Sequence, residues 1–504
     1  MSAFEGDGAL RGHEPSARGR GVDRLDRLAA WLDARLPALL EQYGVPGASV
    51  AVLAEGRVIE AADGLVNLDT GVEATRDTVF QIGSVTKVLT ATLVMQLVDE
   101  GRISLDDTVR SVLPEFRVAD EAVAGRITIR QLLTHSSGFE GDIFTDTGDG
   151  DDCLERYAAL LAHAPQLFPP GELFSYNNAG FCLLGRIVEV LRGEAFDVCM
   201  REHLLAPLGL HRAAQTAAEA ILQRAAVGHV PAPGADDGEP MAGASAAAAL
   251  VPTPVWAMAR SNAPAGSMLA MRAVDLVAFA RMHLEGGRAA SGDIVLSESS
   301  VAEMQRPQID LPDIGWGTSW GLGWELTRTP GSPDLIGHDG NTVGQSAILR
   351  VVPERGVAVA VLTNGGAAGP VFAEIAGRVL AELAGIERPE VPRPGTEREV
   401  ERPGRYVGRY GSSTVEFEVR LDDDGALRMR RTPLAELAEL GDPVFESSLV
   451  PWRGDALIPL EPEGGVHRPI AFLGCDEPVG AGGEAGNGRA VYLHSGRADR
   501  RVEP

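Results

Sequence analysis

The segment Val88–Val98 is apolar on nearly every side of a helix, and the pattern stops at Gly101. A surface helix keeps one polar face, so a helix of this kind is predicted to be buried all round. Only a domain with several layers of structure can enclose it, and a chain of 504 residues is long enough to do so. Side chains at the start of this helix are therefore predicted to be removed from water.

Lys87 lies at that start, and it is the single lysine among the 45 lysines and arginines of the chain. Arginine keeps its proton at any working pH, whereas a buried lysine can lose its proton. Ser84 precedes Lys87 by three residues, which places both side chains on one helical face. Burial and the helix N-terminus both favour a neutral amine, which can take the proton of the Ser84 hydroxyl. A surface serine beside a solvated lysine is the alternative for an isolated pair.

Two further clusters carry groups that can move protons or bind a carbonyl. Tyr176 is followed by Asn177 and Asn178. A phenol can shuttle a proton if a nearby cation lowers its pKa, and the second amide can orient a substrate carbonyl. In the segment His338-Asp-Gly-Asn341, the glycine lets a substrate approach, and the next backbone N–H can point at an oxyanion. Taken singly, these clusters also fit a buried tyrosine at a helix start and a tight turn.

Composition limits the partners of the chain. The net charge of −26 argues against binding to nucleic acid or to an anionic membrane surface. No run of about 18 apolar residues is present, which argues against a membrane-spanning helix. The first 20 residues are polar and lack the apolar stretch of a secretory signal, so a cytoplasmic location is predicted.

The cysteines are interpreted as buried or unreactive thiols, because they show no CxxC pairing and no histidines at ligand spacing: Cys153, Cys182, Cys199 and Cys475. The H-E-x-x-H and H-x-H-x-D spacings of metallohydrolases are also missing from the sequence. No metal site and no cofactor is therefore predicted.

The pattern of elements predicts an α+β (or α/β) fold, in which an antiparallel sheet is flanked by helices and joined by a mostly helical subdomain. Helices are predicted at Asp23–Tyr43, Val88–Val98, Thr128–Thr134, Tyr176–Leu191, Ala273–Leu284 and Val371–Leu383. Strands are predicted at Ala48–Leu53, Arg57–Leu65, Ser346–Val352 and Val357–Leu362. The Ala-, Pro- and Gly-rich stretch 213–266 receives no assignment.

The domain organisation is predicted from changes in composition. Residues 1–22 are predicted to be a disordered tail, and residues 23–387 the first domain. Residues 388–403 are rich in proline and predicted to be a linker. Residues 404–504 contain short strand candidates separated by turns such as Asp422–Gly425 and Glu463–Gly465, which predicts a small all-β barrel.

In this order, the three clusters resemble those of the serine β-lactamase and penicillin-binding protein superfamily, which carries an S-x-x-K signature. The resemblance is to the class C β-lactamase-like serine hydrolases, a group that includes D-aminopeptidases, esterases and D-stereospecific peptidases. It extends over residues 25–385 and includes Val45–Ala51, Thr78–Ser84, Gly101–Asp107, Thr128–Phe139, Tyr176–Gly180, Pro264–Met268 and Gly337–Thr342. It implies a β-lactamase/transpeptidase-like fold, and the C-terminal module resembles the lipocalin-like domain of some of these hydrolases.

The resemblance implies a role for each matched residue. Ser84 would be the acylated nucleophile, Lys87 its base and Tyr176 a second acid or base. His338 would line the pocket opposite Tyr176, Asn178 would contact the substrate, and Gly340 would give it access. The backbone N–H groups of Ser84 and Asn341 would form the oxyanion hole.

His338 departs from the superfamily pattern, in which β-lactamases and transpeptidases place a lysine in a K-T-G motif. Lysine stays charged and suits a substrate carboxylate, whereas a histidine near neutral pH need not be charged. The expected function is therefore hydrolysis of an ester, an amide or a D-residue-containing peptide through an acyl-serine intermediate. The implied partner is a small-molecule or peptide acyl substrate.

Two alternatives stay open. The same acyl-enzyme would serve a transacylase, or a penicillin-binding-protein-type thioesterase or peptide cyclase, with an amine acceptor or a carrier-bound peptide as partner. A protein of another class would keep the fold as a ligand sensor without turnover. Whether the arginines near the C-terminus, Arg497 and Arg500-Arg501, reach the site also stays open.

Overall fold

An antiparallel sheet forms the centre of the first domain, as the sequence predicts. The computed structural model describes residues 17–232, 249–387, 391–435, 438, 443–463, 466–475 and 488–502. In these residues the strands of the first domain are β1 Gly47–Ala54, β2 Arg57–Asn67, β3 Val72–Glu73, β4 Phe80–Gln81, β5 His229–Pro231, β6 Leu250–Pro252, β7 Ala270–Met271, β8 Ile309–Asp310, β9 Ser319–Trp320, β10 Glu325–Thr327, β11 Leu335–Thr342, β12 Gln345–Val352 and β13 Val357–Thr363. The large sheet has the order β3-β2-β1-β13-β12-β11-β10-β9-β8, so strands from the two ends of the domain meet at its centre.

Helices cover both faces of this sheet. Their bounds are α1 Ala17–Tyr43, α2 Thr86–Asp99, α3 Val109–Val112, α4 Glu121–Ala124, α5 Ile129–Leu133, α6 Cys153–Leu160, α7 Asn178–Arg192, α8 Phe196–Met200, α9 Ala217–Ala220, α10 Ala273–Leu284, α11 Glu298–Met304 and α12 Ala368–Val379. Leucines of α1 and apolar residues of α12 pack on one face of the sheet. Helices α2, α7 and α10 belong to the larger core on the other face. Every residue of α2 from Thr86 to Leu97 is buried, which confirms the buried helix.

Several predicted boundaries need correction. Helix α1 begins at Ala17, inside the segment predicted to be a disordered tail, and residues 1–16 of that tail lie outside the described residues. Helix α7 begins at Asn178 and not at Tyr176, because the Asn177 side chain caps it by accepting a hydrogen bond from the Gly180 N–H at 2.6 Å. The final helix begins three residues earlier than predicted, at Ala368, and continues as a π-turn over Leu380–Ala384.

The stretch 213–266 contains short elements that are too brief for a periodic signal. Besides α9, β5 and β6, it includes a 3₁₀ turn over Arg260–Ala265, and residues 233–248 lie outside the described residues. Residues 388–390 of the predicted linker also lie outside the description, and the linker residues that follow them, as far as Arg402, form no helix or strand.

The C-terminal module is a closed barrel, as predicted. Its strands are β14 Gly408–Gly411, β15 Val415–Leu421, β16 Leu427–Pro433, β17 Phe445–Arg453, β18 Ala456–Pro459, β19 Ile470–Leu473, β20 Tyr492–His494 and β21 Ala498–Val502. The predicted turn Asp422–Gly425 joins β15 to β16, with Gly425 at φ 82°. Residues 464 and 465 of the other predicted turn lie outside the described residues. The predicted limits at 387 and 404 stay predictions.

One rim of the barrel docks on the first domain. In the turn between β20 and β21, the Gly496 carbonyl accepts the Tyr176 N–H at 3.0 Å. Beside it, the His494 ring nitrogen Nε2 lies 2.7 Å from the Phe174 carbonyl. In the turn between β14 and β15, the Ser413 N–H donates to Glu140 Oε1 at 2.9 Å. The barrel is thus attached directly beside one of the three sequence clusters. Across the described residues, no helix is both long and apolar enough to cross a membrane.

Candidate active site

Ser84 and Lys87 lie together at the start of the buried helix. Ser84 is in a 3₁₀ turn, Gly83–Val85, directly before α2, and not in the α-helix itself. The distance from Lys87 Nζ to Ser84 Oγ is 3.1 Å. Nζ also donates a hydrogen bond to the Ala265 carbonyl at 2.6 Å. A neutral amine that donates to Ala265 keeps its lone pair free to accept the Ser84 O–H.

Burial allows the Lys87 amine to lose its proton near neutral pH. Lys87 is 0% exposed. Loss of hydration is the main effect that lowers the pKa of Lys87 to about 7; the positive charge of Arg497 adds to it, and Cys182 and Asp142 oppose it. The pKa of Lys87 is thus shifted downwards, in the direction expected from the sequence. The Cys182 thiol has a pKa raised to about 11 by burial, so it stays protonated beside the amine.

Tyr176 faces the same pair of groups. Its hydroxyl is within hydrogen-bonding reach of Ser84, and Lys87 Nζ lies 4.9 Å from the centre of its ring. The condition set out above for a proton shuttle, a pKa of the phenol lowered by a nearby cation, is not met in the net shift. Burial raises the pKa of Tyr176, and the hydrogen bond with Ser84 and the charge of Arg497 offset this only in part. Tyr176 is therefore a protonated hydrogen-bond donor across the physiological range.

His338 lies opposite Tyr176, with 6.1 Å between the ring centres. Its Nδ1 is 2.6 Å from the Asp339 carbonyl, which can only accept, so Nδ1 carries the proton in the neutral ring. Nε2 is buried and has no partner among the described residues. Burial, together with the charge of Lys87, lowers the pKa of His338 to about 3. The ring therefore presents an uncharged acceptor to the site.

His135 supports Tyr176 from behind. The two rings are stacked with their centres 4.3 Å apart. The Asn177 N–H donates to His135 Nδ1 at 2.9 Å, which fixes the orientation of the imidazole. His135 has a φ of 55°, a left-handed conformation that costs a non-glycine residue about 1 kcal/mol. Burial lowers the pKa of His135 well below its usual value, so the stacked ring is neutral.

Glycines bring strand β11 against the turn that carries the nucleophile. A Cβ atom on Gly340 would lie 1.9 Å from the Ile82 carbonyl oxygen and 3.1 Å from the Ser84 nitrogen. A Cβ on Gly83 would lie 2.5 Å from the Asn341 nitrogen. The backbone N–H groups of Ser84 and Asn341 therefore belong to two segments in direct contact, as an oxyanion hole requires.

A hydrogen-bonded chain links Asn178 to the barrel. The Asn178 side-chain nitrogen donates to Asp142 Oδ1 at 2.7 Å. Arg497 of the barrel donates to both oxygens of Asp142, at 2.9 and 3.1 Å. The Arg497 guanidinium carbon lies 4.8 Å from the centre of the Tyr176 ring. The open question about Arg497 is thus answered by the structure: this arginine reaches the site.

All seven residues that the sequence singled out converge here. Reasoning from sequence missed Asp142 and His135, although His135 lies inside the quoted segment Thr128–Phe139 and Asp142 follows it. It also missed Trp316, whose ring makes an edge contact with Tyr176 at 6.0 Å. The G-x-S-x-G spacing of α/β-hydrolases is present at 317–321, but Ser319 is buried in strand β9 and not on the strand-to-helix turn that such a nucleophile needs.

The described cysteines are free and buried, as interpreted. Within the described ranges, no group of three or more His, Cys, Asp or Glu side chains is placed to hold a metal ion.

The pH dependence of activity follows from these pKa values. Lys87 must be neutral to accept a proton, so kcat/KM is expected to fall about tenfold per pH unit below about pH 7 and to level off above it. His338 titrates far lower, with a pKa of about 3, and does not contribute. Steady-state hydrolysis of an activated ester between pH 5 and 9 measures the profile. A flat profile would contradict a titrating Lys87.

Removing the charge of Arg497 is expected to move that profile. Arg497 lowers the pKa of Lys87, while Asp142 raises it. In Arg497→Gln the effect that lowers the pKa of Lys87 is lost, and the Asp142 carboxylate that raises it is no longer paired with a cation. The midpoint of the acid limb should therefore rise by about half a unit to one unit. Arg500→Gln, at an exposed neighbouring position, is the control and should leave the midpoint in place. An unchanged midpoint in Arg497→Gln would show that the barrel does not tune the amine.

The chain is similar to known proteins over most of its length. Residues 32–384 match the Beta-lactamase family. Penicillin-binding protein 4 of Amycolatopsis lactamdurans is 45% identical over 373 residues, covering 73% of this chain and 93% of that protein. The crystal structure of SurE has a TM-score of 0.73 at 30% identity and covers 96% of this chain and 100% of SurE. The D-amino acid amidase of Ochrobactrum anthropi SV3 complexed with D-phenylalanine has a TM-score of 0.58 at 25% identity, covering 71% of this chain and 99% of the amidase.

Proposed function

Since the chain belongs to the Beta-lactamase family, we propose that it is a serine hydrolase that forms an acyl-enzyme on Ser84 and releases the acyl group to water. The observation that carries the proposal is the 3.1 Å contact between Lys87 Nζ and Ser84 Oγ. At this distance Lys87, with a pKa of about 7, can accept the proton of the hydroxyl that would attack. A base with a pKa near the working pH is the most effective general base.

The reaction would proceed in two steps. In the first, Ser84 Oγ attacks the substrate carbonyl, and its proton passes to Lys87 Nζ. The carbonyl oxygen becomes an oxyanion that accepts hydrogen bonds from the N–H groups of Ser84 and Asn341. Collapse of this intermediate expels the leaving group, which takes a proton from the Tyr176 hydroxyl. Lys87 then passes the proton that it took from Ser84 to Tyr176, which restores the phenol.

In the second step, water attacks the acyl-Ser84 ester. Water gives a proton to Lys87 Nζ as its oxygen bonds to the carbonyl carbon, and the Ser84–acyl bond breaks with return of that proton to Ser84 Oγ. The products are the free acid and the starting enzyme, so no co-reactant besides water is required.

The site favours an uncharged ester or amide group over an anionic β-lactam. His338 is neutral in this environment, so it offers no positive charge to a substrate carboxylate, whereas its bare Nε2 can accept an N–H from an amide. The D-amino acid amidase named above acts on this class of bond in a related fold. We propose that the acyl donor is an ester, or an amide of a D-residue.

A substrate panel tests the proposal. Purified protein is expected to hydrolyse p-nitrophenyl esters or D-amino-acid amides, with slower turnover of L-amides and little cleavage of nitrocefin. Ser84→Ala is the matched control and should abolish each activity that the parent shows. Turnover that persists in Ser84→Ala would contradict the proposal, and acylation without release would favour the ligand-sensing alternative.

Transfer of the acyl group to an amine is a second candidate. The unpartnered Nε2 of His338 favours it, because a buried acceptor beside Tyr176 can orient the N–H of an incoming amine. The same acyl-enzyme would then yield an amide, or a ring when the amine belongs to the acyl chain. Product analysis by mass spectrometry with added amine separates the two outcomes. Hydrolysis alone at high amine concentration would exclude transfer.

A further inference from the structure

An open cavity lies at one end of the barrel, and nothing in the proposed chemistry uses it. This barrel cavity has a volume of about 480 Å³, within the range of small-molecule sites, roughly 300–1,000 Å³. Three residues that are directly opposite one another on adjacent strands line it: Phe417, Arg431 and Phe445. Met429 lies on the same face of β16 as Arg431, and Ile470 of β19 also lines the cavity. The cavity is therefore part of the barrel interior.

The cavity opens at the rim that docks on the first domain. Ser495, in the turn after β20, lines the cavity. The next residue, Gly496, accepts the Tyr176 N–H, and Arg497 covers the Tyr176 ring. The β14–β15 turn, whose Ser413 binds Glu140, lies at this same end. Ser495, Gly496 and Arg497 are consecutive, so one stretch of chain borders both the cavity and the active site.

The chemistry of the lining points to an apolar occupant. Phe417, Met429 and Ile470 are buried apolar side chains. Replacing the water beside them by an apolar group is favourable, whereas a polar group gives no such gain. At the rim, Glu463 accepts hydrogen bonds from Arg431 at 2.6 Å and from Arg468 at 3.5 Å, so the arginines are held by one carboxylate. The apolar side chains below them can admit an apolar segment.

We propose that the barrel cavity binds an apolar segment of the acyl group that Ser84 takes up, remote from the bond that is cleaved. The proposal rests on the proposed function and identifies its substrate class as acyl donors with an extended apolar portion. The barrel then contributes to substrate selection through its interior, while Arg497 acts on the catalytic groups.

A chain-length series tests the proposal. With p-nitrophenyl esters from acetyl to dodecanoyl, kcat/KM of the parent is expected to rise once the chain enters the cavity, by up to about fourfold per methylene buried. Met429→Trp fills the cavity and should remove this gain, by tenfold or more for the long esters. Arg430→Trp, on the exposed outward face of the same strand, is the matched control and should keep the profile of the parent.

A second variant guards against misfolding of Met429→Trp. Phe445→Ala enlarges the cavity and should move the preferred ester to a longer chain. Equal chain-length profiles in the parent, Phe445→Ala and a folded Met429→Trp would overturn the proposal. The proposal would also be overturned if a fatty-acyl fluorophore bound in the cavity did not compete with the long esters. Absence of turnover of every ester and D-amino-acid amide by the parent would instead overturn the proposed function, whereas acetyl-ester turnover with a flat chain-length profile overturns the cavity proposal alone.

Discussion

Replacing Lys87 by methionine is expected to lower kcat/KM for an ester substrate by about 10³- to 10⁴-fold, because the base that contacts Ser84 is lost. Lys87→Arg should lose as much, since a guanidinium keeps its proton at every working pH. Steady-state hydrolysis with the parent and both variants at pH 8 gives the comparison. Circular dichroism and thermal unfolding establish that each variant is folded.

The control for Lys87 comes from the same buried helix. Thr92 donates its hydroxyl to the Val88 carbonyl and contacts neither Ser84 nor Tyr176 in the described hydrogen bonds. Thr92→Val keeps the shape of the side chain, and its kcat/KM should stay within a few-fold of the parent. An active Lys87→Arg enzyme would contradict a neutral amine as the base, whatever the pKa of Lys87.

Tyr176→Phe is expected to reduce kcat by about 10²- to 10³-fold, because the leaving group loses its proton donor. The phenyl ring keeps the stacking on His135 and the contact with Arg497, so the loss should appear in kcat and not in stability. Leaving groups of lower pKa need less protonation, and the deficit should therefore shrink from amides to p-nitrophenyl esters. Single-turnover kinetics on both substrate types measure the difference.

A second buried tyrosine supplies the control for this variant. Tyr157 is 0% exposed, and its hydroxyl donates to the Ile143 carbonyl at 2.6 Å. Tyr157→Phe removes a buried hydroxyl of the same kind away from Ser84, so it should affect stability more than kcat. A similar fall in kcat for both variants would assign the effect of Tyr176→Phe to packing.

Local patterns were sufficient to predict the elements that carry the chemistry. The buried helix followed from the apolar run Val88–Val98, and strands β1 and β2 from the runs Ala48–Leu53 and Arg57–Leu65. The start of α7 was misplaced by two residues because a capping asparagine, Asn177, looks like any polar residue in a periodic pattern. Ser84 likewise lies in a 3₁₀ turn, which has no sequence signal distinct from an α-helix start.

The contribution of the barrel could not be predicted in the same way. Arg497 and Asp142 are separated by 355 positions in the chain, and only the docking of two domains brings them together. The balance of effects on Tyr176 was also beyond the sequence, because burial raises its pKa and nearby charges lower it. Deciding between these effects requires the exposure of the side chain, which a spacing pattern does not contain.

Ser84 is proposed to carry the acyl group during turnover, with Lys87 as its base. Acid quenching during hydrolysis of a slow ester, followed by intact-mass and peptide mass spectrometry, detects that intermediate. We expect one acyl adduct per chain on the peptide that contains Ser84, and no adduct on Ser84→Ala. An unmodified parent under turnover, or an adduct that persists in Ser84→Ala, would show that Ser84 is not the nucleophile.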